Sequence, residues 1–242
     1  VIYAFWPLAL DTARSIPSIL PLIIASNNLP SLIFAFSVSD AKVVPSFVII
    51  VLRDADNGYF EYKVTYIAYF DGRLGVKAEY DGVKGLSDMP VFAMDFKMKK
   101  QYDKFTFYGM GPDENYIDRN NGARLGVYTL TALENFTKYL NPQECGNRTG
   151  VRYVNVYEEN GAGLNFTATE NPFEMSVLPY NAYELDNAMH RDELPDPTYT
   201  WVRIAAKQMG VGGDDSWGAP VHKEFKINSE EAMSLEFIVS SL

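Results

Sequence analysis

From Asn57-Gly58 onward the chain alternates apolar and polar residues with the two-residue period of a strand. Tyr62, Val64, Tyr66, Ala68 and Phe70 alternate with mostly polar neighbours, Asp71-Gly72 interrupts, and Leu74, Val76, Ala78 and Tyr80 resume the alternation. Asp-Gly between two such runs is a strong hairpin signal, because both residues tolerate the backbone of a two-residue turn. After a break at Asp81-Gly82 and Gly85, Phe92, Met94, Phe96 and Met98 share one side, and Asp95, Lys97 and Lys99 the other. That pattern predicts a strand with one solvated face. Phe105 and Phe107 repeat it before the Gly109-Met110-Gly111-Pro112 breaker. Further strands are predicted at Val151–Tyr157, Leu164–Thr169, Glu174–Leu178, Thr198–Ala206, Lys223–Ile227 and Met233–Val239. Ala182–Met189 reads as a short helix with Leu185, Ala188 and Met189 on one face, and Thr131–Tyr139 fits either state. Many short strands separated by turn signals predict an all-β sandwich or barrel, and without a repeat or linker one domain is expected.

The first 52 residues differ. Asp11, Arg14, Asp40 and Lys42 are their only charges, and an extended apolar run at Phe47–Leu52 is the one element their pattern supports. Residues 16–36 are apolar, but Pro17, Pro21, Pro30 and Asn27-Asn28 interrupt them. A membrane-spanning helix needs roughly 20 mainly apolar residues, so no membrane span is expected. The basic start of a signal peptide is also missing. Val1 opens inside an apolar run and reads as a cut end.

Composition narrows the function. Of 242 residues, 47% are hydrophobic and 21% charged, which is a globular balance. A net charge of −10 with no basic stripe argues against a nucleic-acid partner. Cys145 is the single cysteine, so no internal disulfide can form and a reducing cytoplasm is expected. Asn135, Asn147 and Asn165 each begin an Asn-x-Thr triplet, a pattern that arises readily by chance.

The stretch Gly210–Gly218 cannot be regular structure, because Gly210, Gly212, Gly213 and Gly218 enclose Asp214 and Asp215. An aromatic at the end of such a loop, Trp217, suits the C–H face of a sugar or, alternatively, plugs the rim of the core. Catalytic candidates are weaker. A carboxylate-pair glycosidase places its two groups roughly 5–10 Å apart, flanking the scissile bond. Asp113/Glu114 and Asp214/Asp215 are sequence neighbours in glycine-containing loops, where turn formation is the commoner role. His190 and His222 have no metal-ligand spacing, and no Gly-x-Ser-x-Gly, phosphate-loop or dinucleotide fingerprint occurs.

Four blocks nevertheless resemble one family in order. Gly109-Met110-Gly111-Pro112-Asp113-Glu114-Asn115-Tyr116-Ile117-Asp118-Arg119 is similar to a Gly-x-Gly-Pro-x-Glu-Asn-Tyr-x-Asp-Arg loop. Asn141–Gly146 contains Pro-Gln-Glu-Cys-Gly. Leu178-Pro179-Tyr180, Glu184-Leu185, Asn187-Ala188, His190 and Glu193-Leu194-Pro195 form the third, and Gly210–Trp217 reads Gly-x-Gly-Gly-x-Asp-Ser-Trp. From about residue 58 the chain resembles the C-terminal β-sandwich of glycoside hydrolase family 2 β-galactosidases, which also occurs as a separate small subunit. Upstream, Phe5-Trp6, Asp11 and Arg14 keep the spacing of a further motif, but Pro7, Leu8, Thr12 and Ala13 depart from it, so residues 1–52 are read as divergent or incomplete.

The resemblance implies an antiparallel β-supersandwich of galactose-mutarotase-like type. It implies that the chain completes the active site for hydrolysis of terminal β-D-galactose from lactose-type substrates, and is inactive alone. The catalytic glutamates, with magnesium and sodium, would sit on a barrel domain or large chain, leaving this chain no catalytic residue, metal or cofactor. Trp217 would form part of the sugar-binding wall. Gly111, as a hinge, with Glu114, Asn115, Tyr116, Arg119, Asp214, Asp215 and Ser216, would belong to loops beside the active site, where Glu114 and Arg119 anchor their loop. The implied partners are the large chain or barrel domain and the β-galactoside, in an oligomer. The rival readings are a stand-alone carbohydrate-binding sandwich and, from the shared sandwich type, a sugar epimerase.

Overall fold

The computed structural model describes residues 60–69, 71–215 and 217–242, together with the strand segments 2–5, 22–24, 32–34 and 47–54. In chain order the strands begin with β1 (Ile2–Phe5), β2 (Leu22–Ile24), β3 (Leu32–Phe34) and β4 (Phe47–Asp54). They continue as β5 (Phe60–Ala68), β6 (Leu74–Tyr80), β7 (Val91–Lys99), β8 (Lys104–Gly111) and β9 (Arg124–Thr131). The remainder are β10 (Arg148–Val151), β11 (Tyr153–Tyr157), β12 (Gly163–Ala168), β13 (Phe173–Leu178), β14 (Tyr199–Gln208) and β15 (Met233–Ser241). Two short helices interrupt them, α1 (Ala132–Asn135) and α2 (Ala182–Asp186).

The strands form a five-stranded sheet in the order β1-β7-β14-β13-β10 and an eight-stranded sheet in the order β4-β5-β6-β15-β12-β11-β8-β9. β2 and β3 pair separately. Every described pairing is antiparallel except β1 on β7. The expected hairpin is present: Tyr62 faces Tyr80 and Ala68 faces Leu74, and the turn closes through Gly72 N–H on the Tyr69 carbonyl. Val64, Tyr66, Val76, Ala78 and Tyr80 are buried, so a one-residue slip would turn this apolar set out of the core. Phe70 and Asn57-Gly58 lie outside the described residues, as do Trp6, Asp11, Arg14, Asp40 and Lys42. The apolar run at 47–52 lies within β4. Among the described residues, no helix is long and apolar enough to cross a membrane.

Between the sheets, Phe96 packs on Phe166 and Phe237 at ring separations of 4.9 and 5.9 Å, beside Met94, Met175, Phe105, Phe107 and Ile204. A second cluster of Phe136, Cys145, Leu178, Tyr180 and Leu185 includes side chains from segments outside the sheets. Several expectations are corrected by this arrangement. The polar face of β7 is solvated only at its end: Lys99 is exposed, but Lys97 is half-buried and Asp95 buried, because the cluster's segments bring Glu144 to Arg203, the partner of Asp95. The predicted strand Val151–Tyr157 is two strands in different sheets, β10 and β11. Val151 pairs with Phe173 of the five-stranded sheet, whereas Val154 pairs with Phe107 and Phe166 of the eight-stranded one, and both valines are fully buried.

Lys223–Ile227 is a 3₁₀ turn at Lys223–Phe225, not a strand, with only Ile227 bridging to Met89. Its Phe225 N–H bonds back to the His222 carbonyl, leaving the Phe225 carbonyl for Gly210. α2 stops at Asp186, so Met189 leaves the helical face and is 68% exposed, whereas Leu185 and Ala188 are buried. The ambiguous stretch holds α1, which Thr131 and Glu134 start with a reciprocal capping box. β9 was not foreseen, because it is an edge strand with Leu125 and Val127 facing solvent.

Candidate functional site

Two loops carry the first and last of the four family-like blocks. The first leaves β8 at Gly111, where a Cβ would lie 2.8 Å from the Tyr128 ring, so only glycine fits. Asn115, 2% exposed, is its internal pin. Its Nδ2 donates to the Met110 and Asp113 carbonyls at 2.9 Å, and its Oδ1 accepts from Thr149 N–H at 2.9 Å and Thr149 Oγ1 at 2.7 Å. Tyr116 is buried and closes a tight turn with Arg119 through reciprocal backbone bonds. Arg119 lies over the Tyr116 ring and bonds Glu114 at 2.6 Å.

Glu114 also accepts from Gly146 N–H at 2.6 Å and from the Tyr139 hydroxyl. Burial would raise its carboxyl, but these donors and the Arg119 charge outweigh burial and hold it below the ordinary value. A carboxylate so engaged stays ionised at neutral pH and is poorly suited to proton donation. Its contacts tie the loop to the segment after α1.

The second loop follows β14. Gly210 N–H bonds the Phe225 carbonyl, and Gly212 N–H bonds Asp118 Oδ2 at 2.7 Å. At Gly213 a Cβ would meet the Ala219 carbonyl oxygen at 2.1 Å, so this glycine serves close backbone approach. Asp215 Oδ1 accepts from Trp217 N–H at 2.8 Å and Ala219 N–H at 3.2 Å, bending the chain around the tryptophan. Asp214 Oδ1 meets His222 Nε2 at 2.7 Å, which raises the His222 pKa by hydrogen bonding and charge. The result is a Trp217 side chain 92% exposed on a loop tied at several points. It does not plug the core rim. Ser216 lies outside the described residues.

Beneath both loops the outer side of the five-stranded sheet is polar and buried. Arg203 pairs with Asp95 through two bonds of 2.8 and 2.9 Å and with Glu144 at 2.7 Å. Asn147 joins the first loop to β13, since its Nδ2 donates to Asn115 O and to Glu174 Oε2. Burial pushes the Glu174 carboxyl up to about 7, against the hydrogen bond from Asn147. A cavity of about 50 Å³ lies here, lined by Tyr116, Asn147, Trp201, Arg203, Gln208 and Val211 among others. A benzene-sized cavity is roughly 150 Å³, so this space holds a few waters and not a hexose.

Glu114, Asp118, Asp214 and Asp215 are held in turns and ties, and His190 bonds Glu193 at 3.2 Å on the surface. Among the described residues no group of three or more His, Cys, Asp or Glu side chains could hold a metal ion. Sequence reading missed Asp118 and the His222–Asp214 contact as supports of the tryptophan loop. Their partners stand 94 and 8 residues away, at spacings that no local pattern encodes.

Fold and rim define the class as a two-sheet β-sandwich presenting an aromatic on a pinned, glycine-rich loop. The chain belongs to the beta galactosidase small chain family, whose model matches residues 27–239. It is 45% identical over 181 residues to a beta-galactosidase of Halalkalibacterium halodurans, covering 74% of this chain and 18% of that protein. It is 43% identical over 182 residues to a beta-galactosidase of Streptococcus thermophilus, covering 75% and 18%. With the beta-galactosidase small subunit of Latilactobacillus sakei it shares 36% over 188 residues, covering 74% of this chain and 58% of the subunit. The aligned region thus spans less than a fifth of the first two relatives. In backbone the chain is similar to a galactose mutarotase related enzyme from Lactobacillus acidophilus, at a TM-score of 0.38 and 11% identity, covering 81% of this chain and 71% of that one.

Proposed function

We propose that this chain is one domain, the small-chain part of a retaining β-galactosidase of glycoside hydrolase family 2. The whole enzyme releases terminal β-D-galactose from lactose-type substrates through a covalent galactosyl-enzyme. This chain contributes Trp217 to the wall of the sugar site. The acid/base and nucleophile glutamates, with the magnesium and sodium ions, belong to a barrel-bearing large chain or domain, in an oligomer that works in the cytoplasm. The observation that carries the reading is a tryptophan 92% exposed on a tied loop, in a chain of this family. A flat apolar ring so placed can lie against the C–H face of galactose, while Glu114, Asp118, Asp214 and Asp215 are held in turns and ion pairs.

The test compares the purified chain, alone and combined with its large chain, on a chromogenic β-galactoside. The chain alone should give no turnover and the combination should restore it. In the assembled enzyme, Trp217→Ala should raise KM roughly tenfold or more through lost burial and stacking, with kcat changing less. Trp217→Phe should recover part of the loss. Turnover by this chain alone, or an unchanged KM in Trp217→Ala, would overturn the reading.

A further inference from the structure

We infer that Asp118 is a positioning residue for the Trp217 loop, acting through the Gly212 N–H; the inference rests on the platform reading above. The other hydrogen bonds named for this loop run within residues 210–226. The Asp118 bond instead crosses to a chain segment 94 residues away, at 2.7 Å. The carboxylate also lies directly on the loop backbone: a Cβ at Gly210 would stand 2.6 Å from Asp118 Oδ2. Its own position is set by the reciprocal bonds between Tyr116 and Arg119, which enclose Ile117 and Asp118 in a turn anchored by the buried Tyr116 ring. A fixed acceptor thus holds the third residue of the loop, five residues before the tryptophan. The opposite end is held by Asp215 on Trp217 N–H and by His222 on Asp214.

Gly212 is exposed and Asp118 half-buried, with its Oδ1 buried and unpartnered, so the carboxylate adds little net stability, yet its bond sets where the loop leaves the sandwich. Removing it should loosen the ring's approach to the sugar without moving groups on another domain. A charged acceptor on one N–H supports a change of roughly fivefold or more in substrate affinity. Asparagine keeps an acceptor of the same shape at the same place.

The experiment uses the assembled enzyme and a Michaelis series on Asp118→Ala, Asp118→Asn, Trp217→Ala and the Asp118→Ala/Trp217→Ala double variant, each with a thermal melt. Asp118→Ala should raise KM roughly fivefold with kcat and melting temperature nearly unchanged, and Asp118→Asn should restore most of the KM. In the Trp217→Ala background, Asp118→Ala should add no further change, since the ring it positions is gone. An unchanged KM in Asp118→Ala beside a raised KM in Trp217→Ala would overturn the positioning role alone. So would additive effects in the double variant, an Asn variant as impaired as Ala, or an Asp118→Ala chain that fails to fold. An unchanged KM in Trp217→Ala would remove the platform and the inference together.

Discussion

Replacing Asn115 by alanine should uncouple the first loop from the sandwich beneath it. The side chain makes four hydrogen bonds between 2.7 and 2.9 Å, two as donor and two as acceptor, and is 2% exposed. Alanine removes all four and leaves the Met110 and Asp113 carbonyls and both Thr149 donors to find other partners. Net contributions of about 0.5–1.5 kcal/mol per bond give roughly 2–6 kcal/mol. Asp113 is exposed and Thr149 half-buried, so water compensates part of this and the lower half of the range applies. At ~2–4 °C per kcal/mol for a chain of this size, ~3 kcal/mol lowers the melting temperature by roughly 6–12 °C. Circular dichroism melts with urea titrations would measure it. Thr149→Val removes only the hydroxyl bond and should cost ~1 kcal/mol. Asn115→Asp keeps the acceptor but turns a carboxylate toward two carbonyls. It should be poorly stable at neutral pH and recover in acid, where a proton restores one donor. A loss below ~1 kcal/mol for Asn115→Ala would refute the pinning role.

Glu174 should give stability a pH slope. Burial raises its folded pKa to about 7, above its unfolded value, so its favourable contribution is full in acid and is lost as pH rises from the ordinary carboxylate range through about 7. Glu174→Gln should abolish up to ~3 kcal/mol of that decline, seen as melts from pH 4.5 to 8 that no longer fall relative to wild type. Arg203→Met leaves the buried Asp95 unpaired and should cost ~3–5 kcal/mol in a urea titration, whereas Glu144→Gln, at a partner 40% exposed, should cost ~1 kcal/mol or less.

The hairpin around Asp71-Gly72 was legible because one buried face forces a two-residue period onto the sequence. The exposed Trp217 was legible because glycines and aspartates exclude regular structure around it. Asp95 was misread for a physical reason: alternation reports two unlike faces, not which face water reaches. Here segments remote in sequence supply Glu144 and cover the polar side. Val151–Tyr157 was misread because a change of sheet at Arg152 looks, locally, like an imperfect strand. Asp118 was quoted within a motif but given no task, since its partner is a backbone N–H and glycine carries no side-chain signal.

The change of sheet at Arg152 has a mechanical consequence. β10 and β11 belong to opposite layers, yet Arg152 alone separates them, with its N–H on the Tyr108 carbonyl and its own carbonyl accepting from Ala168 N–H. This corner works as a covalent rivet between the layers. Both partners lie in the eight-stranded sheet, on β8 and β12, so Arg152 is pinned to that layer and hands the chain directly to the other, which restrains sliding at this end of the sandwich. With the frame restrained there, the position of the exposed Trp217 ring is governed by its own loop, and the ties of that loop to Asp118, Asp215 and His222 set how far the ring can shift.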